Sequence, residues 1–181
     1  MAVTTEHGPY VNQSEVSQYI TAYASRWIPL DMFSGPAAGD LADIIFDGSR
    51  DVEFLMHFNK GLSDASDDAI ARSKKTSVNP VVFEAAALAL MVARQEDKFT
   101  GVAGQTPDDA AAQGDASAVQ EVMERLRRAT PNSGSYANES DYFKPEWQES
   151  LYGTNYDKLL KIKNKYDPDN FFTSHHSVGS D

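Results

Sequence analysis

An unbroken apolar run, Ala85 to Ala93, constrains this chain more than any other stretch. It is far shorter than the roughly 20 residues a membrane-spanning helix needs, so it belongs inside a folded core. The wider segment Val81 to Arg94 has two readings. Its alanines, leucines and length favour helix. Val81, Val82 and Phe83 at one end, with Met91 and Val92 at the other, suit a long buried strand instead. Periodicity does not decide between them.

Elsewhere the pattern is clearer. Val52 to Asn59 alternates as a strand, with Val52, Phe54, Met56 and Phe58 on one face and Glu53, Leu55, His57 and Asn59 on the other. Asn12 to Ala24 reads as a short helix capped by Ser14, with Val16, Tyr19, Ile20 and Tyr23 as its stripe. Arg26 to Leu30 is β-prone, because Pro29 argues against helix there. After the Gly35-Pro36 turn, a helix runs from Ala37 to Phe46, and Gly48 stops it. Gly61 to Thr76 is polar and reads as a loop, and Ala103 to Gln113 as a mobile stretch. Ser117 to Ala129 is the strongest helix, its stripe Val119, Val122, Met123 and Leu126. A last helix spans about Asn155 to Lys165, and Phe171-Phe172 returns to an apolar surface.

A length of 181 residues suits one compact domain. With no cysteine, disulfides, thiolate metal sites and a cysteine nucleophile are excluded. The net charge of −11 repels phosphate backbones, so no nucleic-acid partner is expected. Met1 to Tyr10 has neither a basic start nor an apolar core, so a chain starting at Met1 is expected in the cytoplasm.

The C-terminal quarter carries the most specific pattern. It runs Ser133-Gly134-Ser135-Tyr136-Ala137-Asn138-Glu139-Ser140-Asp141-Tyr142, then Pro145-x-Trp147, then Tyr152-Gly153-x-Asn155-Tyr156-x-x-Leu159-x-x-Ile162-Lys163-x-Lys165-Tyr166-Asp167-Pro168-x-x-Phe171. In order and spacing it resembles the C-terminal signature of the berberine-bridge-enzyme-like FAD-linked oxidases, fungal branch. Ser25 to Pro29 followed by Phe33 resembles the start of the second half of that family's substrate-binding domain, and Thr76 to Pro80 the lead-in to its last long strand. The resemblance implies that Val81 to Arg94 is strand. It implies an α+β fold, an antiparallel sheet with helices packed on one face plus a C-terminal helical segment. The expected divisions are 1–132, the second half of a substrate-binding-like domain, 133–174, the family's C-terminal segment, and a flexible tail over 175–181.

The family's flavin is held by an N-terminal region that this sequence does not match, and no histidine here sits in a glycine-rich phosphate loop. No cofactor is therefore expected, with FAD as the alternative if the chain is part of a complete oxidase. The resemblance places Tyr136 and Asn138 near flavin and substrate, and puts Glu139 where many relatives carry a tyrosine acting as or assisting the general base. Glu139 is thus a candidate proton carrier. Against this, Tyr136, Asn138 and Asp141 are equally suited to a turn that positions the last helix.

His57 is a further acid–base candidate, because imidazole titrates in the right range. Glu53 shares its face but lies about 13 Å along the strand. Trp27 and Tyr152 suit a pocket wall. The resemblance sets Asn155 and Tyr156 on the cofactor side, and Asn155 also fits a helix cap. The expected ligand is a hydrophobic small molecule. Three functions are open: flavin-independent isomerase or cyclase, C-terminal part of an FAD-linked oxidoreductase, or non-catalytic partner subunit. A sheet edge of this kind needs covering, so a homodimer or a partner chain is expected.

Overall fold

Ala87, Ala89 and Met91 point one way along the central strand and Leu88, Leu90 and Val92 the other, and all six are buried. That two-sided burial explains the unbroken apolar run. The computed structural model describes residues 19–59, 62, 64–95, 101–104 and 106–180. Its elements are β1 (Tyr19–Pro29), α1 (Gly35–Gly48), β2 (Glu53–Phe58), α2 (Asp67–Ser73), β3 (Ala85–Gln95), α3 (Asp109–Ala129), α4 (Trp147–Tyr152) and α5 (Tyr156–Tyr166). Single 3-10 turns cover Leu30–Phe33, Pro80–Phe83 and Gly153–Asn155. The three strands form an antiparallel sheet in the order β1-β3-β2. The α+β fold holds.

The principal core lies between one sheet face and the helices α1 and α3. Ala24, Ile28, Ala87, Ala89 and Met91 from the sheet meet Leu41 and Ile44 of α1 and Val119, Val122, Met123 and Leu126 of α3. Alanine at Ala24, Ala87 and Ala89 lets the helices settle close to the sheet. Gly48 performs the same service between helices, since a Cβ there would stand 2.8 Å from Val122 Cγ1. A β-branched side chain in a helix has little freedom to yield. Gly48→Ala is expected to cost about 1–3 kcal/mol by overpacking, read as a lower urea midpoint with an unchanged slope.

Several expectations are corrected. Of the helix expected over Asn12 to Ala24, residues 12–18 lie outside the described residues, and 19–24 are the first half of β1. Pairing with β3, Tyr23 opposite Val92 and Ala24 opposite Met91, overrides the helical spacing. The loop expected over Gly61 to Thr76 contains α2, where the Ser66 side chain accepts from Ala69 N and Asp67 and Asp68 favour the positive helix start. The stretch Ala103 to Gln113 is helical from Asp109 onward, because the Asp108 side chain accepts from Ala111 N at 3.0 Å. Val81 to Arg94 divides into the 3-10 turn and β3, as the resemblance implied rather than as helix propensity did.

Candidate functional site

The signature begins by closing the outer edge of β1. Trp27 N donates to Gly134 O at 2.9 Å, Ser133 Oγ to Trp27 O and Ser135 Oγ to Ser25 O, both at 2.6 Å, and Tyr136 N to Ser25 Oγ at 3.0 Å. From the far side, Ser135 N donates to Ser150 O at 2.8 Å, and Asn79 Nδ2 to the same oxygen at 2.9 Å. Segments more than a hundred residues apart are thereby fixed to one another.

That attachment delivers the next residues to the sheet face away from the helices. The Tyr136 ring lies 6.0 Å from Trp27, and Asn138 Nδ2 donates to Tyr136 Oη at 2.8 Å. A turn closed by Glu139 N donating to Tyr136 O brings Glu139 inward, where its Oε1 accepts from Tyr23 Oη at 2.9 Å. Glu139 is half-buried, while Tyr136 stays 38% exposed. A carboxylate oriented by a phenol beside two aromatic rings can take a proton from a bound molecule and return it. The helical spacing of Val16, Tyr19, Ile20 and Tyr23 hides Tyr23 in the sequence. The signal was there: Tyr23, Ser25 and Trp27 alternate with Ala24, Arg26 and Ile28 at the strand period.

Four of the sequence-derived candidates, Glu139, Tyr136, Asn138 and Trp27, are brought together; the others are not. Glu53 and His57 do lie on the same sheet face, as the alternation predicted. His57 stands opposite Leu88, which stands opposite Trp27, so two strand spacings, about 10 Å, separate its row from β1. Glu53 pairs with Arg94 at 2.8 Å, not with His57.

Tyr152 and Tyr156 belong to a second aromatic group around buried Trp147, at ring distances of 6.2 and 5.7 Å. Asn155 does not cap α5; its Nδ2 donates to Val78 O at 2.8 Å and Thr76 O at 3.4 Å, tying the helix to the lead-in of β3. Residues 175–180, read as a tail, fold back on this group. The His176 ring stacks 5.2 Å from Trp147 and its carbonyl accepts from Tyr152 Oη. Burial holds His176 below the usual histidine range and pushes Tyr152 up. Phe171 and Phe172 are 80% and 75% exposed, contrary to the expected return to an apolar surface. Their backbone N–H groups donate to the Asp167 carboxylate, and Lys163 holds that carboxyl below the usual range. Cavities of about 260, 140 and 350 Å³ open on the described residues, and none is lined by Glu139, Tyr136 or His57.

Residues 135–179 match the family model described as berberine and berberine like. Over 64 residues, 35% of this chain, the sequence is 52% identical to the bifunctional decalin synthase calF of Penicillium decumbens, covering 11% of that protein. Over 164 residues, 90% of the chain, it is 29% identical to the FAD-linked oxidoreductase apf9 of Gibberella fujikuroi, covering 26% of it. The crystal structure of the VAO-type flavoprotein MtVAO615 from Myceliophthora thermophila C1 matches with a TM-score of 0.69 at 26% identity, over 87% of this chain and 27% of that one. Residues 135–179 carry the berberine-like C-terminal segment, and the chain as a whole is similar to fungal FAD-linked oxidoreductases and, in fold, to a VAO-type flavoprotein. The chain spans between 11% and 26% of the length of these two curated relatives.

Proposed function

We propose that this chain forms the substrate-side wall of a natural-product enzyme, and that Glu139, oriented by Tyr23, moves a proton on a hydrophobic small molecule as an isomerase or cyclase does. The observation that supports this best is the Tyr23–Glu139 hydrogen bond at 2.9 Å, set beside the rings of Trp27 and Tyr136. Proton transfer leaves the substrate's oxidation state unchanged, so positioning and a base suffice. The similarity to a decalin synthase is in keeping with ring-forming chemistry. Among the described residues no G-x-G-x-x-G loop between strand and helix offers a cradle for dinucleotide phosphates. A second reading is favoured by the FAD-linked relatives: the same wall serves an oxidoreductase whose flavin is gripped by residues other than those described.

Two measurements on the purified chain separate them. Hydrophobic ketones with exchangeable α-protons, incubated in D₂O, are expected to gain deuterium at carbon while the protein shows no visible flavin band. A stoichiometric flavin band with oxidation of the substrate would overturn the flavin-independent reading.

A further inference from the structure

The side chain of Arg26 leaves β1 on the helix side of the sheet and is only 4% exposed. Its Nε donates to Thr130 Oγ1 at 2.9 Å and its Nη2 to the Thr130 carbonyl. Two further cations gather beside it, Arg127 from α3 and Lys144 from the signature segment. Lys144 is 7% exposed, yet among the described residues its ammonium makes no hydrogen bond and no ion pair. Arg127 donates from Nη2 to Gln120 Oε1 at 3.3 Å and forms an ion pair with Glu124 at 3.6 Å, but its buried Nε has no hydrogen-bond partner. All three cations line one cavity of about 140 Å³, whose wall includes Ser133 and Ser150 and, at exposed positions, Glu146 and Glu149.

In a chain of net charge −11, two buried cations, Arg26 and Lys144, with a third, Arg127, partly exposed beside them around one cavity, need an explanation. Burial, then Arg127, then Arg26 push Lys144 down to about 8, with Asp141 opposing; burial and Arg127 lower Arg26 to about 10. The arrangement is costly as it stands and becomes favourable once a negative charge enters. We propose that this cavity binds a small oxyanion of the phosphate or sulfate class, held by Lys144 and Arg127 with Arg26 behind them. Such an ion supplies acceptors to Lys144 Nζ and Arg127 Nε at once. The volume is well below the roughly 300–1,000 Å³ of pockets that hold drug-sized ligands, which leaves no room for a nucleotide.

Inorganic phosphate titrated into the full chain at constant ionic strength, followed by calorimetry, tests this. One saturable site is expected, weakened about tenfold or more in Lys144→Met, because a hydrogen bond to a charged group is lost. Affinity is expected to fall as pH rises through about 8, where the ammonium gives up its proton. Without phosphate, the unfolded chain keeps that proton between about 8 and 10.5 while the folded chain has lost it, so stability rises across the window. Bound phosphate is expected to reduce that rise, with His176, Asp141, Glu146 and Glu149 common to both conditions. No saturable heat, or wild-type binding by both Lys144→Met and Arg127→Gln, overturns the proposal and means an adventitious ion only. Should Lys144→Met not fold, Arg127→Gln carries the same comparison.

Discussion

Alanine at Gly134 is expected to destabilise the protein by about 3 kcal/mol or more, among the larger effects of a single methyl group. A Cβ at this position would overlap the Ser150 carbonyl oxygen and approach Asn79 Nδ2 to 2.7 Å. Neither neighbour has freedom to yield. The Ser150 oxygen already accepts from Ser135 N and Asn79 Nδ2, and Asn79 also caps the turn before β3 by accepting from Val81 N. Any displacement therefore breaks several buried hydrogen bonds at once, each costing about 1–3 kcal/mol if left unmade. Gly114, inside α3 with nothing within 4 Å, is the control. Gly114→Ala is expected to gain roughly 0.5–1 kcal/mol, as alanine does in a helix interior. Urea unfolding of the two variants should move the midpoint in opposite directions. Equal midpoints would show that the signature segment is not fastened to the sheet as described.

The largest effect on activity is expected at Glu139. Glutamine keeps the side chain's shape and can still accept from Tyr23, but it cannot take up a proton. The rate of α-proton exchange is expected to fall about 10²–10⁴-fold, the usual contribution of a positioned acid–base group. Tyr23→Phe removes only the orienting bond, 2.9 Å long, and is expected to cost about tenfold. His57→Ala, about two strand spacings from the β1 row, is expected to change the rate little. Full activity in Glu139→Gln, with the fold intact by circular dichroism, would leave Glu139 as a turn residue alone. A large loss in His57→Ala would move the chemistry across the same sheet face to the β2 edge.

Legibility differed between elements for physical reasons. The two faces of β2 could be read directly, because one faces the core and the other does not. β1 could not, since Tyr19, Ile20 and Tyr23 fit a helical stripe as well as a strand, and only pairing with β3 decides. The start of α3 was hidden by small polar residues whose capping role depends on Asp108 finding Ala111 N. In the site, the signature announced Tyr136, Asn138 and Glu139, but not Tyr23, whose partner lies 116 residues away. Lys144 and Arg26 were equally silent. An ordinary lysine and an ordinary arginine acquire their character only when the segment closes over them, and local sequence carries no trace of that closure.

The closure also bears on when this protein becomes whole. β1 is made early, but its outer edge meets its hydrogen-bonding partners only when Ser133 to Ser135 appear, 110 residues later. At ~5–20 residues per second of synthesis, that edge stands open for roughly 6–22 s. An unpaired strand edge invites pairing with other chains, and contacts of such separation form slowly. The segment that marks the family is thus also the clasp that ends a vulnerable interval. Variants that weaken it should show their harm first as aggregation during synthesis.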